Sequence, residues 1–542
     1  MILYLSYSFF LTFSVIGFGK LTSLLDKKIN LEESLYGILG LFYLSVFATF
    51  FHFFFGLSEL INFAVFLSGF IIFILFKDFS IFKKKEFYLI FLFVLLLYFS
   101  HKPHEDFGYY HLPYVINFNE SKIILGTGNL AEPYVWNSMW LNLMSVFNLP
   151  YTNYKIISFP SIMLLFFTLF YFLEFIQKNL VQKNLRISNL ICIFLLFYLI
   201  IKFNRFSSFG VDVPSFLIIS LLLLLSILTI EKNKLEISHL YLFLSLPFFL
   251  VTIKLSNLSI FIIVIIITKL YLKKNNVFYA CKFLALPVLF FTIWAIQQFF
   301  YTGCFLFPSE YSCFNVSWFS KDILLIAQKL EITNKSYWTL VNRDLFSPEE
   351  YISKFNWVSN WFIANQTKFY EHILAIMIVP FILILLKQFK LRSSKINIKI
   401  IYILTIYLGI SLIILQYSPL LRFGFATLFL IVFILFATMF EINHKKIKVS
   451  LLYQLILISI VFSSTKNFIR IDDFSNPYPQ FVKANYLGTN TQFKNIKLNK
   501  PINKGQGWQG RLCWNTPFIC TYNPEKLVVN KNNLNYLVIS KK

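Results

Sequence analysis

The stretch that decides the fold runs from residue 87 to residue 111 and reads FYLIFLFVLLLYFSHKPHEDFGYYH. Residues 87–100 form an apolar run that is typical of a membrane helix. The residues that follow bring two adjacent carboxylates, Glu105 and Asp106, and three histidines. Ionisable groups at the end of a membrane helix are costly to place there, so their presence indicates a functional role.

The rest of the chain repeats the apolar half of this stretch. Of its 542 residues, 57% are hydrophobic and only 14% are charged, and apolar runs of about 20 residues recur throughout. A soluble domain carries far more charge. The sequence therefore predicts an all-α polytopic membrane protein with about fourteen transmembrane helices. The predicted spans lie near 2–19, 36–56, 58–76, 86–100, 155–176, 187–203, 213–230, 239–254, 257–272, 279–302, 371–389, 398–417, 420–440 and 447–465.

Lysine and arginine predict the orientation of these helices. Alternate short connections between the spans hold about 24 basic residues, whereas the opposite short connections hold about three. Because basic loops stay on the cytoplasmic side, three long segments are predicted to lie outside: 101–154, 303–370 and 466–542. The net charge of +24 thus sets orientation and indicates no nucleic-acid partner.

This topology divides the chain into five parts. The apolar N-terminus is expected to be retained as a span, since it lacks a small-residue cleavage site. The predicted parts are additional N-terminal transmembrane helices (1–85), a transmembrane module (86–302) that includes the outer loop 101–154, a second outer loop (303–370), C-terminal transmembrane helices (371–465) and a small outer tail (466–542).

Four of the six cysteines fall in two close pairs on the predicted outer side. Cys304 and Cys313 flank a short loop in the second outer segment, and Cys513 and Cys520 do the same in the tail. Close pairs in an oxidising compartment favour two disulfides over a metal site, because no histidine accompanies them.

The first outer loop is predicted to begin with a helix along the membrane surface. Asp106, Tyr110 and Tyr114 recur at every fourth residue and so share a face of that helix. Pro113 suits the first residue of a helix. A plain interfacial belt of aromatic residues is the alternative, although such a belt needs no adjacent acids.

A second acid and several cations are predicted to reach the same surface. Asp212 precedes the span 213–230, where an ordinary helix N-cap is the favoured interpretation of this residue taken alone, and a second acid near the same surface favours a functional role. Arg205 shares its loop, while Lys254 and Arg422 lie at other outer span ends. These cations either extend to the lipid headgroups or form a clamp for a phosphate.

This arrangement resembles the GT-C superfamily of membrane glycosyltransferases, in an uncharacterised bacterial branch. Those enzymes share a span, a long outer loop that starts with an acid, two more spans and a second acid. Three spans precede that module here, which leaves the role of the first helices open. The local sequences that carry the resemblance are DFGYYHLP (106–113), GTGNL (126–130), WNSMW (136–140), RFSSFGVDVP (205–214), TGCFLFPS (302–309) and CWNTPFIC (513–520).

The resemblance implies transfer of a hexosyl or pentosyl group from a polyprenyl-phosphate-sugar donor to a glycan, lipid or protein acceptor. The reaction is expected at the outer face of a bacterial inner membrane, in cell-envelope glycan synthesis. It implies Asp106, with Glu105 as substitute, as the base. Asp212, Tyr110 and His111 are expected at the acceptor side, and Arg205, Lys254 and Arg422 at the phosphate. A divalent cation is compatible with two acids but is not required by them.

Two other classes stay open from the sequence. A polysaccharide polymerase or ligase outside GT-C also has many spans and large outer loops, although its chemistry relies more on arginine and histidine. A transporter places polar groups within spans and often consists of paired halves. The predicted spans here carry their charges at the ends, and no internal repeat is evident.

The cysteine pattern generates a first prediction. Cys304 and Cys313 should resist alkylation by a membrane-impermeant maleimide on intact cells until a reductant is added, because they form an outer disulfide. Mass spectrometry of the labelled peptides measures this. Labelling without reductant would contradict the bridge.

Overall fold

The computed structural model describes residues 2–99, 106–182, 186–202, 210–337, 357–392, 397–416, 420–442, 449–472, 486–493, 496–501, 513–514, 516–521 and 523–542. Most of these residues are helical, as the apolar periodicity predicts. The principal helices are α1 (Ile2–Lys20), α2 (Glu33–His52), α3 (Glu59–Leu75), α4 (Lys85–Phe99), α5 (Leu112–Glu120), α6 (Met139–Val146), α7 (Phe159–Val181), α8 (Ile187–Lys202), α9 (Asp212–Lys232), α10 (Ile237–Ile253), α11 (Ile260–Tyr271), α12 (Val277–Thr302), α13 (Lys321–Tyr337), α14 (Trp357–Leu385), α15 (Ile398–Leu415), α16 (Leu421–Met439) and α17 (Val449–Asp472).

The apolar helices define a multi-pass membrane protein. Within the described ranges, nine helical segments are long and apolar enough to cross a bilayer. Four shorter apolar helices accompany them: Glu59–Leu75, Ile187–Lys202, Ile237–Ile253 and Leu255–Tyr271. The all-α polytopic class is thereby confirmed, whereas the total of about fourteen spans stays a prediction.

One helix starts well before its predicted span. The span predicted at 371–389 belongs to α14, which begins at Trp357. Its first turns carry polar residues such as Asn360 and Asn365, so hydropathy alone could not include them. Part of the predicted outer segment 303–370 is thus a helical extension of a membrane helix, and α13 is a second helix within it.

The centre of the bundle is formed by α7 and α9, whose apolar cores are almost wholly buried by other helices. Of the first three membrane helices, α2 packs directly onto α7, and α1 packs against both α2 and α3. Gly17 of α1 faces Gly69 of α3 so closely that a side chain at position 17 would collide with the backbone of α3. Small residues allow such close helix packing in membranes. Helices α1 to α3 therefore belong to the same bundle, and α2 is their contact to its centre.

Three small antiparallel pairs of strands complete the described fold. The strands are β1 (Phe389–Leu391) with β2 (Phe440–Ile442), β3 (Tyr486–Phe493) with β4 (Ile496–Pro501), and β5 (Leu527–Lys531) with β6 (Leu537–Lys541). The last strand also reaches the first outer loop, because the Ile539 amide donates to the Leu125 carbonyl at 2.8 Å. The tail is thus attached to the loop 101–154 by main-chain hydrogen bonds.

The described part of the first outer loop is mostly buried. Tyr114, Tyr134 and Trp140 are each no more than 2% exposed, whereas Trp136 and Tyr151 are exposed, at 38% and 84%. A belt of aromatic residues at the membrane interface would leave these rings at the surface. The loop is instead a packed layer, covered by the tail and by membrane helices.

A buried polar network fixes this layer to the membrane helices. The Asn142 side chain donates to the Thr49 hydroxyl of α2 at 2.7 Å and to the Gln297 amide oxygen of α12 at 2.8 Å. Its own amide oxygen accepts from the Tyr114 hydroxyl at 2.8 Å. Buried polar groups that are paired in this way hold one arrangement, because an unpaired alternative is costly.

Replacing Asn142 should therefore destabilise the protein. Asn142→Leu removes the buried hydrogen bonds to Thr49, Gln297 and Tyr114, and we expect a loss of about 2–4 kcal/mol in the free energy of unfolding. Denaturant unfolding in detergent micelles measures it. The matched control is Asn179→Leu, because Asn179 is half-buried and donates within its own helix to the Phe175 carbonyl. Equal effects of the two changes would contradict the role of the network.

Candidate functional site

Asp106 stands at the start of an unusual helical turn. Residues 107–111 form a π-helical turn that leads directly into α5. Pro113 lies in the first turn of α5, as predicted. It has no N–H to donate to the Tyr109 carbonyl and its ring crowds that carbonyl, which favours widening of the preceding turn. The sequence thus places Asp106 directly before a turn that is wider than a turn of α-helix.

Asp212 and Lys254 form a short ion pair. Asp212 is the first residue of α9, and Lys254 directly follows α10. The Lys254 ammonium donates to Asp212 Oδ1 at 2.7 Å. Asp212 is therefore not an ordinary N-cap: that position belongs to Val211, and no side-chain cap forms there.

Arg422 joins the two acids. It lies in the first turn of α16, and its Nη1 donates to Asp106 Oδ2 at 3.1 Å. Its Nε lies 3.6 Å from Asp212 Oδ2. One guanidinium thereby brings together the acid of the first outer loop and the acid of α9. Less than a fifth of either carboxylate is exposed, so water screens these charges weakly.

The cluster is continued by an aromatic ring. Phe423 follows Arg422, and the Lys254 ammonium lies 2.8 Å from the centre of its ring. A cation over the face of a ring is stabilised by the ring quadrupole. Burial nevertheless lowers the pKa of Lys254 to about 8, although Asp212 opposes this shift. Lys254 therefore retains its charge at neutral pH mainly through Asp212.

Tyr110 and His111 lie within the wide turn. Burial raises the pKa of the Tyr110 phenol, and the negative charge of Asp106 raises it further. Tyr110 thus belongs to the environment of the cluster and stays protonated as a hydrogen-bond donor. His111 is 1% exposed and its ring contacts the Tyr110 ring edge-on. Tyr114, predicted on the same face, binds the Asn142 network instead.

Two predicted residues, Glu105 and Arg205, lie outside the described residues. The remaining acids do not by themselves fit a divalent cation, because the Arg422 guanidinium lies between Asp106 and Asp212. Across the described ranges, no group of three or more His, Cys, Asp or Glu side chains could hold a metal ion.

A small polar cavity lies beside the cluster. It measures about 40 Å³ and is bordered by Phe423, by Ser256 and Asn257 after Lys254, and by Tyr407 and Ser411 of α15. This volume suits one or two water molecules. The Asn257 side chain also donates to Ser215 at 2.9 Å, and so fixes the start of α11 against α9 next to Asp212.

Both predicted disulfides are confirmed, Cys304–Cys313 and Cys513–Cys520. The second one closes a loop that lies on the turn of Asp106, since the Trp514 amide donates to the Gly108 carbonyl at 2.8 Å. Sequence reasoning missed Trp514 and Phe423 as neighbours of the site. For Phe423 the adjacent Arg422 was the available signal; for Trp514 there was none beyond its place between two cysteines.

The fold and the cluster define a multi-pass helical membrane protein with two acids and two cations held together at one end of the bundle. The chain belongs to the family described as "Domain of unknown function (DUF8201)", whose model matches residues 1–429. That range includes all four residues of the cluster, whereas Trp514 and its disulfide lie beyond it. No curated protein and no solved structure matches the chain.

The lowered pKa of Lys254 generates a prediction. Its pKa is about 8 in the folded protein and about 10.4 in an unfolded chain, so the unfolded chain binds more protons between these values. The free energy of unfolding of the wild-type protein should therefore rise by up to about 3 kcal/mol relative to that of Lys254→Met as the pH rises through this window. Unfolding of both proteins at pH 7 to 10 measures the difference.

Taking the difference between the two proteins cancels the titration of shared groups that lie far from Lys254. Below about pH 7 the difference should be flat, because Lys254 is then protonated in both the folded and the unfolded state. A difference that stays constant up to pH 10 would show that Lys254 is not held in a buried environment.

Proposed function

We propose that this protein is a GT-C-like membrane glycosyltransferase, which transfers a sugar from a polyprenyl-phosphate carrier to an acceptor on the outer face of the bacterial inner membrane. The observation that supports it most is the bridge from Arg422 to both Asp106 and Asp212. It joins the acid that follows the predicted span 86–100 to the acid two spans later, which is the arrangement that the GT-C resemblance implies. The transferred sugar would become part of a cell-envelope glycan.

The two kinds of charge suit the two halves of the reaction. The acceptor hydroxyl oxygen attacks the anomeric carbon, its proton passes to the Asp106 carboxylate, and the bond to the carrier phosphate breaks. Arg422 and Lys254 stabilise the departing phosphate, for which a guanidinium fork is well suited. The first turns of α9 and α16 carry Asp212 and Arg422, and their helix dipoles add positive potential there.

The ion pairs also suggest how the reaction is coupled to donor binding. An incoming phosphate competes with Asp106 for Arg422, because the guanidinium is shared between the acids. Once Arg422 binds the phosphate, Asp106 loses its partner and becomes a stronger base. Tyr110 remains beside Asp106 as a donor for the acceptor or the sugar.

The test is a comparison of surface glycans in a strain that lacks this chain, complemented with variants. Asp106→Asn should fail to restore the missing glycan, because it removes the base while keeping the side-chain shape. Glycan composition by mass spectrometry gives the readout, and membrane fractions show that each variant is inserted. Unchanged glycans in the deletion strain would contradict the proposed function. Full complementation by Asp106→Asn would contradict the assignment of Asp106 as the base.

The matched control is Asp26→Asn. The Asp26 carboxylate also forms an ion pair, with the Lys282 ammonium at 3.1 Å. It lies near Asn30, whose amide contacts Ser238 at the end of α10 opposite to Lys254. This variant loses an equivalent ion pair far from the cluster and should restore the glycan fully.

A further inference from the structure

The loop closed by Cys513–Cys520 lies directly on the turn that follows Asp106. The Trp514 amide donates to the Gly108 carbonyl at 2.8 Å. The Trp514 ring meets Phe107 edge-to-face at 6.3 Å between ring centres. It also fills the space that a side chain at position 108 would need, so that a Cβ there would collide with the indole. Glycine at position 108 is therefore matched to Trp514.

The same loop is fastened independently of Trp514. The Phe518 amide donates to the Glu120 carboxylate at the end of α5, at 3.2 Å. The Thr521 hydroxyl donates to the Leu130 carbonyl at 3.2 Å. The cysteine-closed loop and the residue after it thus extend from the turn that precedes α5 to beyond the last turn of α5, with anchors that survive the loss of the indole.

The turn between these contacts needs support. A π-helical turn is rare and less favourable than an α-helical one, and here it carries Asp106 at one end. The indole presses on the turn from the side of Gly108, while Arg422 binds the carboxylate of Asp106. We propose that Trp514 is a positioning residue, which holds the turn 107–111 through Gly108 and thereby directs Asp106 towards Arg422. Its consequence for catalysis rests on the proposed function, whereas the contact does not.

The test combines Trp514→Ala with Gly108→Ala. Gly108→Ala alone should displace the turn, because its methyl group collides with the indole. Trp514→Ala alone should loosen it. In the double variant the methyl group enters the vacated space and the collision is relieved, so the double variant should resemble Trp514→Ala alone. Non-additivity of this kind indicates direct contact between the two positions.

The readout is the accessibility of position 106, which needs no substrate. Asp106→Cys is introduced with Cys281→Ser, because Cys281 is exposed, Cys192 is buried and the other four cysteines are in disulfides. The rate of modification of the introduced thiol by a charged methanethiosulfonate reagent is then measured. We expect about a tenfold increase for Gly108→Ala and for Trp514→Ala, and about the same tenfold increase for the double variant, whereas independent effects would multiply to about a hundredfold.

Two controls separate positioning from general damage. Gly409→Ala should leave the rate unchanged, because no atom lies within 4 Å of a Cβ at that position. Trp514→Phe keeps an aromatic ring and should stay within a few fold of the parent. If Gly108→Ala does not fold, the comparison of Trp514→Ala with Trp514→Phe decides the matter alone.

Rates for Trp514→Ala that equal the parent would overturn the proposal, as would a double variant about tenfold more reactive than either single variant. A glycosyl-transfer assay then tests the catalytic consequence: Trp514→Ala should lower the glycan yield about tenfold and Trp514→Phe should restore it. If accessibility changes while the deletion strain shows normal glycans, the positioning role stands and the proposed function fails.

Discussion

The bridge from Arg422 to Asp106 and Asp212 is the interaction on which this end of the helical bundle depends. Asp106 and Arg422 are 316 residues apart, so the bond joins the first outer loop to the last third of the chain. Lys254 completes the set, and two negative and two positive charges balance one another. A balanced group of this kind tolerates partial burial, whereas removal of any one member leaves an uncompensated charge. The packing of α9, α10 and α16 around it is thereby tied to one arrangement.

Much of this cluster follows from the sequence. Counting basic residues in the short loops put Asp106, Asp212, Lys254 and Arg422 on one side of the membrane, and the structure brings these four together. The two disulfides also follow, because each pair is close in the chain and lies on the predicted outer side. These features depend on local patterns and on the alternation of spans, which a sequence displays directly.

Other features depend on contacts that no local pattern displays. Asn142 looks like one more polar residue in an aromatic loop, yet it is buried between α2 and α12 because Thr49 and Gln297 satisfy its amide. Gly108 has no side chain to signal a partner, and its match to Trp514 exists only after the tail has folded back. The polar start of α14 carries no hydropathy signal, although it continues a membrane helix. The partners of Asn142 and Gly108 lie far away in the chain, so no local sequence pattern displays these contacts.

The attachment of β6 to the first outer loop has a consequence for biogenesis. The Asn129 side chain donates to the Ile539 carbonyl, a contact between residues 410 positions apart. While the chain is being made, the turn at Asp106 and the loop around Leu125 exist before the strand that covers them. This layer closes only after residue 539 has been synthesised and has paired with Leu125. Folding of the tail is thus the last step in forming the layer, and a surface that is packed in the finished protein stays open until then.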